Sequence, residues 1–397
     1  MGSRVGAREH VSTPQRARIF TLPFTLVVSS GLFYFTALAM LTPVLPDYVE
    51  KSLGHGSIAV GIAVGAFAVG AIILRPFAGR IGDSVGRRVL IIGGALIVAV
   101  TTACYGLVHE LWFLVILRVA SGFGEAGFFV GAATMITDLA PADRRGEAVS
   151  YWSVAVYGGL SFGPVLGSVL HGGGHYADVW FVSAGPALVA AFIGCFTTEI
   201  ERAAPVERPR HLFHRSAIGP GSVLFLGLIP LAGFTAFLPL YVDNLGVSAG
   251  AIFALYGVLI LGIRIFGARV PDRLGGRRTA TIALTFTGLG IGTIAVWQTV
   301  PGLIVGTVVF AGGMSMMYPA LLLLALYGVS DAERASVVGT FSSFFDASQG
   351  LGALICGAVV AVTSDSGAFA AGAVCAFAGL VLLRARSWSR HTAPVVP

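Results

Sequence analysis

Charged side chains are scarce in this chain: Asp, Glu, Lys and Arg make up 11% of its 397 residues, whereas 56% of the residues are hydrophobic. A soluble domain carries about 25% charged residues, because its water-facing surface requires them. The scarcity therefore excludes an ordinary water-soluble protein and indicates that lipid surrounds most of the chain.

Sequence patterns for metal binding, redox chemistry and nucleotide hydrolysis are also missing. The four cysteines are widely separated in apolar runs, with no C-x-x-C pair and no Cys/His ligand spacing. This pattern is typical of small buried side chains. There is no Gly-Lys-Ser/Thr phosphate-binding loop, so ATP is not the expected source of energy. We therefore predict a protein that is not an enzyme and that uses neither a metal nor a cofactor.

Histidine is missing from the apolar runs, since all eight His residues lie in predicted loops or tails. A histidine relay inside the membrane is therefore not expected. If the protein carries a proton across the membrane, we expect a carboxylate to carry it.

Long apolar runs are what the chain has instead. Twelve runs between residues 19 and 384 reach the length of about 20 residues that a membrane-spanning helix needs. Of the 25 basic residues, 21 fall in tails and loops on one side of these spans, three fall in the spans, and Lys51 alone falls on the other side. Basic loops stay in the cytoplasm, so we predict a multi-pass membrane protein with both termini cytoplasmic. This distribution also explains the formal net charge of +6 without nucleic acid as a partner. The basic residues are 24 Arg and one Lys, a bias typical of GC-rich bacterial genomes, and we therefore expect the bacterial inner membrane.

A long polar linker divides the twelve spans into two sets of six, and the two sets repeat. An offset of 189 residues aligns Arg75 with Arg264 and Asp83 with Asp272, within the segments LRPFAGRIGDSVGRR and IRIFGARVPDRLGGRR. The predicted units are a tail at 1–18, a bundle at 19–197, a cytoplasmic linker at 198–218, a second bundle at 219–385 and a tail at 386–397. Two parallel six-helix repeats resemble the architecture of the major facilitator superfamily.

The loops after the second and eighth spans carry two copies of one motif. The first copy reads Gly-x-x-x-Asp-x-x-Gly-Arg-Arg and is similar to the best-known motif of that superfamily, although Ser84 stands where a basic residue is usual. The resemblance implies that these loops hold the two halves together in one conformation and release them in the other. The alternative is a basic loop that only sets the topology. The residues concerned are Gly79, Asp83, Gly86, Arg87 and Arg88 in the first copy, and Asp272, Arg273, Arg277 and Arg278 in the second.

Charged residues inside the spans are candidates for proton coupling. The fourth span contains Arg118 in a pattern similar to the R-x-x-x-G-x-G motif of the superfamily, and Glu125 follows two turns later. This spacing places both on one helical face, roughly 10 Å apart along the axis. A charge at such depth costs at least about 2.5 kcal/mol and normally faces a cavity or a partner. The resemblance assigns proton coupling to Arg118, and the alternative is a permanent Arg118–Glu125 pair that fixes helix packing.

Asp346, in the eleventh span, is a second mid-span carboxyl and a second candidate proton or cation site. The repeat aligns it with Tyr157 of the fifth span. The alternative for Asp346 is a structural partnership with a neighbouring hydroxyl or Arg.

The fifth span carries a glycine motif, Gly159-x-x-x-Gly163-Pro164-x-x-Gly167. It resembles the motif of the drug/proton antiporters of the superfamily, with Ser168 in place of a second Gly. The resemblance implies export rather than uptake. The alternative is a packing helix, because small residues four apart let helices approach closely.

Aromatic, Met and Gln residues within the spans are candidates for the wall of a substrate cavity. The candidates are Tyr34, Tyr157, Phe234, Met317, Tyr318, Phe345 and Gln349. Such an aromatic, Met-containing surface suits varied apolar ligands.

The function that follows is proton-coupled efflux of hydrophobic or cationic small molecules by alternating access. The expected fold is an all-α membrane protein, with twelve helices in two six-helix bundles related by a pseudo-two-fold axis. The expected partners are a small-molecule substrate, protons and the lipid bilayer, and we expect a monomer. One alternative is a transporter of a defined metabolite such as a sugar, which the scarcity of mid-span amides disfavours. Another is a membrane receptor or scaffold that transports nothing.

Overall fold

The fold is a set of long helices, seen in a computed structural model that describes residues 19–141, 144–172, 174–198, 214–267, 270–329 and 333–385. Within these ranges the structure contains helices and turns, and no strand. Twelve of the helices are long and apolar enough to cross a membrane. The predicted all-α fold with twelve spans is therefore confirmed.

The spanning helices fall into two sets of six. The first set is α1 Leu22–Met40, α2 Ser57–Val85, α3 Arg87–Ala103, α4 Leu111–Leu139, α5 Arg145–His171 and α6 Tyr176–Gly194. The second set is α7 Arg215–Asp243, α8 Ala249–Gly267, α9 Gly276–Val296, α10 Val300–Leu326, α11 Arg334–Val360 and α12 Asp365–Ala385. Short helical pieces at Leu45–Ser52, Cys104–Leu107 and Val270–Leu274 adjoin α1, α3 and α8.

The boundary of the second bundle differs slightly from the prediction. Helix α7 begins at Arg215, ahead of the predicted residue 219, because the side chain of His214 accepts a hydrogen bond from the backbone N–H of Ser216 and caps the helix. The two predicted tails and residues 199–213 of the predicted linker lie outside the described residues.

The sequence repeat is visible in matching turns and contacts. Gly86 joins α2 to α3 with a φ of 100°, and Gly275, at the repeat offset, precedes α9 with a φ of 79°. Glycine adopts this left-handed region without steric cost. The guanidinium of Arg88 then donates to the carbonyl of Cys195 at the end of α6, and that of Arg277 donates to the carbonyl of Arg384 near the end of α12. We call the end of the molecule that holds these turns the basic end.

Three apolar clusters form the core. One lies within the first bundle and includes Phe24, Phe128 and Trp152. A second is centred on the second bundle. The third joins both bundles at the end opposite the basic end, where Tyr48 and Trp180 share a cluster with Phe237, Leu240 and Ala368. The bundles are therefore sealed together by apolar packing at that end.

An ion pair crosses between the bundles at the same end. The ammonium of Lys51 lies 2.6 Å from a carboxylate oxygen of Asp47 and 2.5 Å from one of Asp243, the last residue of α7. Asp47 is buried and also accepts a hydrogen bond from the Tyr176 hydroxyl at 2.7 Å.

The bundles meet along two helix pairs, α2 with α11 and α5 with α8. Glycines allow the close approach: a Cβ at Gly61 would lie 2.6 Å from the carbonyl oxygen of Ala353, and a Cβ at Gly357 would lie 2.7 Å from that of Ser57. Gly79 and Gly339 lie eighteen residues from Gly61 and Gly357, hence on the same helix faces, since five turns take about 18 residues.

A Cβ added at Gly79 or at Gly339 would have no heavy atom within 4 Å, apart from the chain neighbours and the backbone of its own helix. Both glycines lie near the basic end of their helices, whereas Gly61 and Gly357 lie near the other end. Helices α2 and α11 therefore touch at the sealed end and diverge toward the basic end.

Candidate functional site

A charged cluster lies at mid-height where the two bundles meet. Arg75 of α2 lies 3.0 Å from a carboxylate oxygen of Glu125 on α4 and 2.8 Å from one of Asp346 on α11. Glu125 is fourteen residues from either end of its helix. We call Arg75, Glu125 and Asp346 the charged triad. It places one cation between two carboxylates, and it connects the two bundles.

The two ion pairs of the triad differ in geometry. An Nη of Arg75 donates to both oxygens of Glu125, at 3.0 and 3.3 Å. The Nε of Arg75 faces Asp346 without an aligned hydrogen bond, so that contact is mainly one of charge. The Arg75–Glu125 pair within the first bundle therefore combines directional hydrogen bonds with charge attraction. The Arg75–Asp346 pair between the bundles depends on charge attraction.

Burial makes the imbalance of charge in the triad chemically important. The side chains of Arg75, Glu125 and Asp346 are 15%, 11% and 7% exposed. Taking a charge out of water is costly unless a partner compensates it. With both carboxylates ionised the triad carries one net negative charge, and a single bound proton makes it neutral. This arrangement can take up and release one proton.

Arg118 does not pair with Glu125 in the structure. Its Nε donates to the carbonyl of Ala63 at 3.0 Å, an Nη donates to that of Val64 at 3.3 Å, and its guanidinium lies 4.7 Å from the ring centre of Phe67. Arg118 thus binds α4 to the backbone of α2. The permanent Arg118–Glu125 pair considered above is not present, because Arg75 occupies Glu125.

Arg75 is the residue of the site that sequence reasoning missed. The sequence places it inside a span, where a charge costs at least about 2.5 kcal/mol, and in a repeated segment opposite Arg264. Those two signals were enough to nominate it. Its partners could not be found in this way, since they come from α4 and α11.

The repeat-related position holds a different contact. The guanidinium of Arg264 on α8 lies 3.8 Å from the ring centre of Tyr157 on α5. The offset of 189 residues that relates Arg75 to Arg264 also relates Tyr157 to Asp346. The two bundle interfaces therefore carry equivalent Arg residues, one facing a carboxylate and the other an aromatic ring.

The predicted gating residues lie at the basic end. Arg87 forms an ion pair with Asp138 at the end of α4. Arg273 and Arg278 are exposed. The side chains of Asp83 and Asp272 lie outside what the structure describes, and the gating role of both loops stays a prediction.

The glycine motif of α5 packs against α1. A Cβ at Gly159 would lie 2.8 Å from the carbonyl oxygen of Leu32, one at Gly163 would lie 2.5 Å from the Cβ of Ala39, and one at Gly167 would lie 2.0 Å from the carbonyl oxygen of Met40. Ser161, Pro164 and Ser168 of α5 face α8. There Gly250 approaches Ser168 closely, and Gly257 approaches Ser161 closely. The motif glycines therefore let α5 approach α1 within the first bundle, and the glycines of α8 let that helix approach α5 across the bundle interface.

The candidate cavity residues divide into two groups. Tyr34, Phe234 and Met317 are fully buried. Tyr34 stacks on Phe128 at 3.7 Å between ring centres, while Phe234 packs in the aromatic core of the second bundle. These three side chains pack within the bundles, as apolar side chains of a buried helix ordinarily do.

The remaining four candidates, Tyr157, Tyr318, Phe345 and Gln349, are half-buried. The Tyr318 hydroxyl lies 3.3 Å from that of Ser342 on α11. The ring of Tyr318 packs edge-on against Phe345, with 6.2 Å between the ring centres. The side chains that adjoin the charged triad are thus mixed aromatic and polar.

Comparison with known proteins agrees with this architecture. The family model described as Major Facilitator Superfamily matches residues 27–353. An uncharacterized MFS-type transporter of Salmonella typhimurium is 28% identical over 378 residues, which cover 90% of this chain and 94% of that protein. The solved nucleoside transporter NupG has a TM-score of 0.72 at 15% identity, covering 92% of this chain and 98% of that one. The human organic anion transporter MFSD10 has a TM-score of 0.68 at 19% identity, covering 94% and 100%. The chain therefore belongs to the Major Facilitator Superfamily of membrane transporters.

Proposed function

We propose that the protein is a proton-coupled secondary transporter in which the charged triad is the coupling site. The observation that carries this proposal is that one buried Arg links carboxylates from both bundles. Protonation at such a site changes the attraction between the bundles, and a change in that attraction is what a transporter needs to convert a proton gradient into movement.

The proton step follows from the geometry of the two ion pairs. A proton from water binds a carboxylate oxygen of Asp346, whose contact with Arg75 rests mainly on charge. The neutral acid holds Arg75 less strongly, so α11 separates from α2 while Arg75 remains on Glu125. Release of the proton to the other side restores the pair. A proton shifts the two states only by binding one of them better.

The sealed and open ends define the conformational state. Basic loops stay on the cytoplasmic side, so we place the basic end and both termini in the cytoplasm of a bacterial cell, with the protein in the inner membrane as a monomer. The sealed end then faces outward, and the conformation is inward-open. In the alternate state, α2 and α11 come together at the basic end, where Gly79 and Gly339 have no side chains to keep the two helices apart.

The direction of transport that we propose is efflux. It rests on the glycine motif of α5, a helix that packs against α1 through these glycines and against α8 through Ser161 and Ser168, and so lies where the bundles meet. Tyr157, Tyr318 and Phe345 suit a substrate with a hydrophobic body.

A cationic substrate was expected because of the two mid-span carboxylates, but Arg75 occupies both of them in this conformation. Transport of a defined metabolite is the second candidate function. It is favoured by Arg264 and by the buried, unpaired amide nitrogen of Gln349. Proteins that share this fold include a nucleoside transporter and an organic anion transporter, so the fold itself does not select the substrate.

The test is flux in proteoliposomes under an imposed pH gradient, with rhodamine 6G as a cationic probe and carboxyfluorescein as an anionic one. We expect gradient-driven flux of at least one probe, and its loss in the double variant Glu125→Gln with Asp346→Asn. Glu147→Gln is the matched control, because this carboxylate pairs with Arg144 at the surface. Unchanged gradient-driven flux in the double variant would refute the coupling role of the triad.

A further inference from the structure

Arg264 has no anionic partner among the side chains that the structure describes. Its Nε is buried and has no hydrogen-bond partner, and its guanidinium contacts the ring of Tyr157. No carboxylate among the described side chains lies within ion-pair distance of it. Buried polar atoms normally have a hydrogen-bond partner, so the Nε of this half-buried Arg is free to bind one.

The comparison with Arg75 shows that, among the described side chains, the anionic partner is missing at only one of the two bundle interfaces. Arg75 has two carboxylates, whereas Arg264 has an aromatic ring at the position equivalent to Asp346. The face of an aromatic ring attracts a cation more weakly than a carboxylate does, and it leaves the buried Nε of Arg264 without an acceptor. The protein therefore supplies carboxylate partners for the charge of Arg75, whereas no described side chain supplies one for the charge of Arg264.

Other hydrogen-bonding groups near the charged triad also lack partners. The amide nitrogen of Gln349, one turn from Asp346 on α11, is buried without an acceptor, and so is the hydroxyl of Tyr34. Both can donate, as can the guanidinium of Arg264. Buried polar groups are normally satisfied by protein, water or ligand, so these three donors without acceptors fit a ligand that supplies acceptors.

Arg264 is also within reach from the basic end. It is half-buried and lies three residues before the end of α8. The bundles are sealed at the other end and diverge toward the basic end, as the glycine contacts of α2 and α11 show. A compound entering from the basic end therefore meets Arg264 before it meets the seal.

We propose that Arg264 binds a carboxylate group of the transported compound, with Tyr157 holding the guanidinium in place. The planar guanidinium matches a carboxylate with two parallel N–H donors. A cationic compound finds no free carboxylate at the triad, since Arg75 holds both of them. This inference rests on the proposed transport function and names the class of substrate: an organic anion with an apolar body.

Equilibrium binding to the purified full-length protein tests the proposal. The probes are 4-butylbenzoate, its neutral amide 4-butylbenzamide, and 4-butylbenzylamine, which share one apolar body and differ in charge. Binding is measured by titration and by ligand-induced thermal stabilisation, at fixed pH and without a gradient. We expect the benzoate to bind at least about tenfold more tightly than the amide or the amine, as is typical for hydrogen bonds to charged groups.

Variants at Arg264 complete the test. We expect Arg264→Gln to weaken benzoate binding about tenfold to a hundredfold and to leave amide binding unchanged. Arg264→Lys keeps the charge but loses the planar fork, so we expect it to fall between. Retained amide binding shows that a variant is folded. Equal affinity for benzoate and amide in the wild type, or benzoate binding that Arg264→Gln and Arg264→Lys leave intact, would overturn the proposal.

The binding test is independent of proton coupling. If Arg264→Gln abolishes benzoate binding while the Glu125→Gln, Asp346→Asn variant keeps gradient-driven flux, the anion site stands and the coupling site is wrong. If the reverse pattern is found, the coupling site stands and the anion site is wrong.

Discussion

The two interfaces between the bundles share a scaffold and differ in chemistry. Helices α2 and α11 meet through closely approaching glycines and an Arg–Asp ion pair, while α5 and α8 meet through glycines and an Arg–Tyr contact. The offset that relates one interface to the other is the same for the Arg residues and for their partners. The repeat thus preserves the position of a cation at each interface and varies what faces it.

In the mechanism that we propose, this difference gives each interface its own task. A carboxylate opposite Arg75 makes a contact that a proton can weaken, which suits coupling. An aromatic ring opposite Arg264 leaves the cation available, which suits binding. The two tasks differ in what faces each Arg, carboxylates at Arg75 and a Tyr ring at Arg264, and four predictions test this comparison.

The largest expected effect comes from fixing the α2–α11 interface in its alternate state. We expect Gly79→Cys with Gly339→Cys to form a disulfide when the basic end closes, since a disulfide requires Cα atoms within about 7 Å. Oxidation should then abolish gradient-driven flux, and reduction should restore it. Each single variant is a control. Flux that persists after complete cross-linking would mean that this interface does not need to open.

Removing the cation of the triad is expected to have the next largest effect. Arg75→Ala leaves two buried carboxylates without a partner, and breaking a buried ion pair in this way costs about 3–5 kcal/mol. Thermal unfolding in detergent measures the loss. Adding Glu125→Gln and Asp346→Asn should recover much of it, because no buried charge is then left. A triple variant as unstable as Arg75→Ala would show that packing, and not charge, is lost.

The glycines test whether the two interfaces are equivalent as scaffolds. Gly61 and Gly250 are related by the repeat, and a Cβ at either would meet the facing helix at 2.6 or 2.5 Å. We expect Gly61→Val and Gly250→Val to lower stability by about 1–3 kcal/mol each, as overpacking does. Gly93→Val is the matched control, because its Cβ has no neighbour within 4 Å. If only one of the pair destabilises the protein, the interfaces differ in packing as well as charge.

Making the two interfaces alike in charge is expected to have the smallest effect. Tyr157→Asp supplies Arg264 with the partner that Arg75 already has, and we expect the affinity for 4-butylbenzoate to fall about tenfold, or 1.4 kcal/mol. Tyr157→Phe keeps the ring and should bind the benzoate as the wild type does. Equal affinity of Tyr157→Asp and Tyr157→Phe for 4-butylbenzoate would count against the comparison of the two interfaces.

The sequence was most informative about features that depend on local chemistry. Apolar run length predicts the twelve helices, because a bilayer sets the length of each. The repeat aligns Arg88 with Arg277, and the structure shows both side chains bonded to carbonyls at equivalent places. Gly86 and Gly275 likewise mark the turns that need a positive φ.

The sequence was least informative about which residues meet across helices. Glu125 and Arg118 share one helix, so spacing alone suggested them as a unit, yet their partners come from α2. Phe234 and Met317 are fully buried, and their place in the wall of a substrate cavity stays a prediction. An apolar residue in a membrane helix can face lipid, a neighbour or a substrate, and helical periodicity does not separate these cases for a buried helix.

The charge of the triad also bears on how the transporter responds to membrane voltage. Moving one elementary charge through 100 mV involves about 2.3 kcal/mol. In the proposed cycle the triad is neutral with one proton bound and carries one negative charge without it. The triad is then electrically silent in the protonated half of the cycle and contributes to voltage dependence in the other half. A single Arg shared by two carboxylates thus limits the triad's own response to the electric field to the unprotonated carrier.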